Sequence, residues 1–208
     1  MTDKYELTDN VRVVNGHTLH QIKALKDFGD VWKGSLGGWI ESQDNLSQTG
    51  LAWVYDNAKV YGYARVYDNA KVYGNARIYD YAHIYGYAHV YDYAQIYGSA
   101  HVWGNTTVSG NAQVYGNSDI QGSIDIREND KTNDNKSYLV FNDTWSSGGR
   151  SGQQFVYVLS NQRWHVDCFD GTGEELIKKA YQDSELSGKM YEMYVHFAEQ
   201  VVETRQND

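Results

Sequence analysis

From Val54 onward the chain repeats a six-residue pattern of buried and exposed positions. The residues Val54, Val60, Val66, Val72, Ile78, Ile84, Val90, Ile96, Val102, Val108, Val114, Ile120 and Ile126 are all Val or Ile. Two positions before each stands a small residue: Ala from Ala52 to Ala100, then Thr106, Ala112 and Ser118, with Ile124 closing the column. The residue between them is polar. The one after the aliphatic is Tyr from Tyr55 to Tyr97, then Trp103, Ser109 and Tyr115. Small in, polar out, aliphatic in, aromatic out is a period of two, which predicts strand. A helix is excluded, because a six-residue repeat drifts around a 3.6-residue turn. Asp or Gly, followed by Asn, Tyr or Ser, supplies the bend between strands. Such short strands bury their inward faces only by stacking, so the pattern predicts a β-solenoid over 51–126.

The corner residue sets the number of sides. It reads Asp56, Gly62, Asp68, Gly74, Asp80, Gly86, Asp92, Gly98. A two-sided coil of twelve residues would stack every Asp at the roughly 4.8 Å strand spacing. Like charges that close are unfavourable without a calcium ladder to relieve them. A three-sided coil of about eighteen residues places Gly74 between Asp56 and Asp92, separating the charges by about 10 Å, near a Debye length. The expectation is a three-sided parallel β-helix of about four coils.

Residues 1–50 alternate loosely and are punctuated by glycine, which reads as strands capping the first coil. Residues 127–136 are polar and read as a linker. Residues 137–208 predict a small β-β-β-α-α module: strand-like runs at Ser137–Trp145, Gln153–Ser160 and Arg163–Phe169, then two helices. Thr172 and Glu175 have capping-box spacing at the first helix start. Gly188 is expected to interrupt the helical region. Met190, Met193, Tyr194, Phe197 and Val201 form an apolar stripe on the second helix. That stripe and the open solenoid ends point to a dimer or trimer.

Composition narrows the function classes. Proline is absent, as stacked strands that need every N–H demand. No run of eighteen apolar residues and no signal peptide is present, so the sequence implies a cytoplasmic protein without a membrane span. The single cysteine, Cys168, excludes a disulfide framework. A net charge of −9 argues against general nucleic-acid binding.

Two surfaces combine cations with aromatic rings, a composition suited to a planar anionic ligand. One is the outward ladder of Arg65, His83 and His101, which an eighteen-residue coil stacks beside the tyrosines. The other is Trp145, Arg150, Arg163, Trp164 and His165 around the Ser146–Gly152 loop, favoured because loops on a rigid frame carry specificity. The plain alternatives are a solvated strand face, with Lys59, Arg65, Lys71 and Arg77 balancing Asp56, Asp68, Asp80 and Asp92, and burial of Trp164 in the module core. Cys168 and His165 are separated by an odd number of residues, so a strand points them to opposite faces. No metal site and no cofactor is expected.

The repeat, exemplified by Val72-Tyr-Gly-Asn-Ala-Arg77, resembles that of the hexapeptide-repeat β-helical proteins. Glycine two after the aliphatic, rather than directly after it, departs from the acyltransferase pattern and leaves handedness open. The leader Leu19–Asp30, the segment Leu36–Ser42 and the tail Cys168–Ala180 resemble uncharacterised phage and prophage proteins. That resemblance implies a phage or prophage origin but brings no established activity; the favoured reading is a non-catalytic binding protein in the host cytoplasm. Sequestering a nucleotide-like signal or binding a host protein in counter-defence would suit such a protein. The alternatives are a structural rod and a β-helical acyltransferase or carbonic-anhydrase-like enzyme. Acyl transfer on such a helix usually needs a His on a loop thrown out from the coils, and rungs 52–126 contain no insertion.

Overall fold

The computed structural model describes residues 3–134, 137–143, 153–167 and 169–206. It comprises two compact units, Met1–Asn135 and Lys136–Asp208.

The first unit opens with an antiparallel hairpin, β1 (Tyr5–Val14) and β2 (His17–Ala24). Asn15 and Gly16 join them with φ of 51° and 87°. Both values suit the two-residue turn whose twist matches the strands. Strand β3 (Leu36–Ile40) is the adapter: it pairs antiparallel with β2 and parallel with the rung at Lys59–Val60. Backbone approaches closely here. A Cβ on Gly38 would stand 2.7 Å from the Ala58 carbonyl oxygen, so the side chain must be absent.

Two-residue strands then follow every six residues, from β4 (Trp53–Val54) to β17 (Lys131–Thr132). They form three parallel faces. One stacks Ile40, Val60, Ile78, Ile96, Val114 and Thr132. The second stacks Val54, Val72, Val90, Val108 and Ile126. The third stacks Leu46, Val66, Ile84, Val102 and Ile120. Within the regular repeat, partners lie eighteen residues apart, as in His89 opposite Lys71, and the solenoid runs for about five turns. It exceeds the four coils expected because rungs are added at both ends. Leu46 bridges to Val66 before the repeat begins. Lys131–Thr132, inside the polar stretch 127–136, pairs with Gln113–Val114. Spacing is kept there although the aliphatic residue is not.

The core is what the alternation demands. Ala52 through Ala100 and Val54 through Ile96 have no solvent-exposed surface at their inward positions. Thr106 and Ser118 replace Ala without leaving a buried hydroxyl unpaired: Thr106 Oγ1 donates to the Trp103 carbonyl at 2.7 Å and Ser118 Oγ to that of Tyr115 at 2.9 Å. The tyrosines after the aliphatics were expected to be largely exposed. Tyr85 and Tyr91 are instead half-buried. Eighteen-residue spacing stacks such rings on one another, as with Tyr67 on Tyr85 at 4.8 Å and Tyr79 on Tyr97 at 5.0 Å. The well-exposed tyrosines, Tyr63, Tyr81, Tyr87 and Tyr93, stand at the corners.

The second unit is a four-stranded antiparallel sheet with two helices. Its strands are β18 (Tyr138–Asp143), β19 (Gln153–Val158), β20 (Arg163–Val166) and β21 (Phe169–Gly171), in that order. The last strand is additional to the three expected. Helix α1 (Gly173–Asp183) starts at Thr172, whose hydroxyl accepts from the Glu175 N–H while the Glu175 carboxylate accepts from the Thr172 N–H. The chain breaks at Ser184, not at Gly188. Gly188 lies inside α2 (Glu185–Gln206), where an added Cβ would meet the Tyr181 ring at 2.3 Å. It is therefore a close helix–helix contact. Phe155, Tyr157, Trp164, Leu176 and Val195 form this unit's core. Among the described residues no helix is long and apolar enough to cross a membrane.

Candidate functional site

The solenoid brings one of the two expected surfaces together. Arg65 opposes His83, His83 opposes His101, and His101 opposes Asp119. The His83 and His101 rings stack at 4.9 Å. One strand position along, Tyr67, Tyr85 and Trp103 stack at 4.8 and 5.6 Å. The Tyr67 ring meets His83 edge-on at 6.1 Å. Imidazole and guanidinium thus run in one column beside a second column of aromatic rings. Trp103 Nε1 donates to Asp119 at 2.7 Å, so the far end of the ladder is held by a carboxylate.

The near end is open. The leader segment turns through a short 3-10 helix at Gln43–Asn45, capped by Ser42, and Leu46 then joins the third face. This folds Gln43, Asp44 and Gln48 over Arg65, Tyr67 and His83, leaving a cavity of about 400 Å³. Arg65 is exposed, and its guanidinium makes no ion pair or hydrogen bond with the described residues. Burial holds His83 below the usual imidazole range, and the charges of His101 and Arg65 push it the same way. Burial raises the Tyr67 phenol, with Tyr85 and Asp68 adding to it against Arg65. Arg65 thus sets a guanidinium beside a half-buried imidazole, with the Asp44 carboxylate in the same cavity.

The cations do not balance the corner aspartates. Lys71 pairs with Asp30 at 2.7 Å and Lys59 Nζ donates to the Asn57 carbonyl. The corner carboxylates instead accept from backbone N–H groups one coil along, as Asp68 does from Gly86 at 3.3 Å. Left-handed corners turn those N–H groups outward, within reach of a short carboxylate.

The second expected surface is divided differently. Trp164 is 1% exposed and packs against Phe141 and Tyr157 in the module core. His165 is 2% exposed, with Nδ1 3.7 Å from the Asp170 carboxylate. The Arg163 guanidinium pairs with the same Asp170. Trp145 and Arg150, with the Ser146–Gly152 loop and Cys168, lie outside the described residues.

One constellation had no motif to announce it. His17 Nδ1 sits 2.9 Å from both carboxylate oxygens of Glu41, which also accepts from the Gly62 N–H at 2.7 Å. Burial tends to raise the Glu41 carboxyl, but those two hydrogen bonds prevail and hold it down. The His17 ring lies 5.0 Å from Tyr61. A carboxylate-oriented imidazole is a general-base arrangement. The Asn15-Gly16 turn was the available signal, since it fixes where His17 enters β2. Among the described residues no three His, Cys, Asp or Glu side chains gather to hold a metal ion.

These features define a hexapeptide-repeat β-helix with a small C-terminal α+β unit. No protein-family model matches the chain. A 38-residue stretch is 50% identical to "Uncharacterized acetyltransferase YdcK" of Escherichia coli (strain K12), covering 18% of this chain and 12% of that protein. That partial match and the solenoid both fit the hexapeptide-repeat architecture.

Proposed function

We propose that this chain is a non-catalytic binding protein whose solenoid captures an anionic, aromatic ligand at the Arg65–His83 end of its ladder. The observation that carries the reading is the cavity of about 400 Å³ in which an unpaired guanidinium, a stacked imidazole and the Tyr67 ring converge. Charge-assisted bonds from Arg65 suit phosphate or carboxylate, and stacked aromatics suit a base. Regular rungs from Val54 to Thr132 leave no loop thrown out of the coils, which favours binding over chemistry. The resemblance to phage and prophage proteins supports a setting in the host cytoplasm, where a nucleotide-like signal would be sequestered. Self-association is part of the same reading, through exposed Met193 and Phe197 on α2. The test is calorimetric titration with mono-, di- and cyclic nucleotides. Saturable binding that Arg65→Ala abolishes supports the reading, and no heat with any nucleotide refutes it.

A second reading is acyl transfer on the β-helix. The short acetyltransferase match and the His17–Glu41 pair favour it. Acetyl-coenzyme A turnover with an amine acceptor, lost in His17→Ala, would establish this alternative.

A further inference from the structure

The face that stacks Ile40, Val60 and Ile78 carries on its outer side a group of cations that the ladder reading does not use. Trp39, Lys59 and Arg77 stand in register on successive rungs, about 4.8 Å apart. The β1–β2 hairpin bends over them, with Leu19 and Val14 packed against Trp39 and Tyr61. At its turn Asn15 Nδ2 donates to the Tyr61 hydroxyl at 3.5 Å, and the His17 ring lies 5.0 Å from that of Tyr61. The Arg12 guanidinium is thereby held over the Trp39 ring, 3.9 Å from its centroid. A guanidinium seated on a ring keeps N–H groups at its rim for an acceptor. Arg12 and Arg77 form no ion pair with the described residues. The carboxylates on this face are engaged elsewhere: Glu41 by His17 and the Gly62 N–H, Asp80 by the Gly98 N–H.

A second observation concerns the lysine between them. Lys59 is 9% exposed, and its ammonium makes one hydrogen bond with the described residues, to the Asn57 carbonyl at 2.7 Å. An ammonium carries three donors, so the others have no acceptor among the described residues. A lysine so enclosed ordinarily has a counter-charge. Burial lowers its pKa, Arg12 and Arg77 lower it further, and no acidic group acts in the opposite sense.

We propose that Arg12, Lys59 and Arg77 together bind a tetrahedral oxyanion of the phosphate class, as free phosphate or as a phosphate monoester. The two guanidinium groups and the Lys59 ammonium donate charge-assisted hydrogen bonds to its oxygens. A doubly charged ligand relieves three neighbouring cations more than a singly charged one does. The Tyr61 and Tyr79 rings, stacked at 5.3 Å, border the group and offer an apolar wall to the organic part of an ester. This site lies on a different face from Arg65 and His83 and does not rest on ligand capture there.

The test titrates the full chain by calorimetry at physiological ionic strength with inorganic phosphate, phenyl phosphate and acetate. Saturable binding of the phosphates and none of acetate is expected. Tighter binding of phenyl phosphate assigns the site to monoesters, and tighter binding of inorganic phosphate assigns it to the free ion. Arg77→Gln and Lys59→Met should each weaken phosphate binding about tenfold, the loss of a charge-assisted hydrogen bond. Lys59→Met keeps the apolar stem, so unchanged circular dichroism certifies the fold. Lys189→Gln, which removes a cation paired with Glu185 in the other unit, should leave affinity unaltered. Equal weakening by Lys189→Gln would overturn the site in favour of general attraction. Absence of phosphate binding, equal binding of acetate, or unchanged affinity in both site variants would also overturn it, and each leaves the Arg65 titration to be judged separately.

Discussion

The Asp56 carboxylate accepts a hydrogen bond from the backbone N–H of Gly74, one coil further on, at 3.1 Å. Both residues have positive φ, 50° and 61°. The alternation of Asp and Gly at the corners thus acquires a cause. Every corner needs a left-handed residue, which Asp tolerates and Gly adopts freely. Placing Asp against Gly lets a carboxylate satisfy the N–H that the corner exposes.

Corner substitutions should therefore rank by geometry. Asp80 accepts from the Gly98 N–H at 3.1 Å, and Asp80→Ala loses that bond while keeping a side chain at φ 58°. A loss of about 1–2 kcal/mol is expected. Gly98→Ala should cost more, because its Cβ would stand 2.9 Å from the Gly116 nitrogen at φ 67°. Urea denaturation of the two variants gives the order directly.

Inward and corner positions should differ sharply in tolerance. Val90 is fully buried, so Val90→Asp places an unpaired charge in the core and costs several kcal/mol. Tyr87 is 62% exposed, and Tyr87→Ser should change stability by under about 0.5 kcal/mol. Circular dichroism melts should show an unfolded first variant and an unaltered second.

Acid should weaken the solenoid and strengthen anion binding. Burial, then His101 and Arg65, holds His83 below its ordinary value of 6.5. Burial and Lys71 lower His89 against the pull of Asp30. As pH falls through 6.5 the unfolded chain takes up these protons first, so the free protein loses stability. An anion beside His83 raises that pKa, so proton uptake accompanies binding and affinity climbs toward acid. Melting curves with and without nucleotide across this range measure both effects, and His83→Gln should flatten the second.

In the C-terminal unit, Trp164→Ala should cost about 3–5 kcal/mol, the range for emptying a large core site. Arg163→Ala removes a partly exposed ion pair to Asp170 and should cost under about 1 kcal/mol. Thermal melts that rank them the other way would contradict the placement of Trp164 in the core.

The sequence alone determined the solenoid, because a repeat of six with Ala and Val/Ile two apart admits one periodic burial scheme. The spacing of the corner aspartates likewise selected eighteen residues per coil, and Thr172 with Glu175 marked the start of α1. Local rules of period, corner and cap suffice for such features. Tertiary structure decided everything that depends on which distant segments meet. Lys4 is 1% exposed, with Nζ donating to the Ala52 carbonyl at 2.9 Å and its pKa lowered to about 8 by burial and Lys26. Nothing in its neighbours along the chain foretells that. His17 meets Glu41, and Gln43–Gln48 closes over Arg65 and His83, because the leader turns back on the coils. Tyr85 is half-buried because ring stacking on Tyr67 and Trp103 between coils covers faces that alternation alone would leave to solvent. Pairings across tens of residues are set by packing and register, which no six-residue window contains.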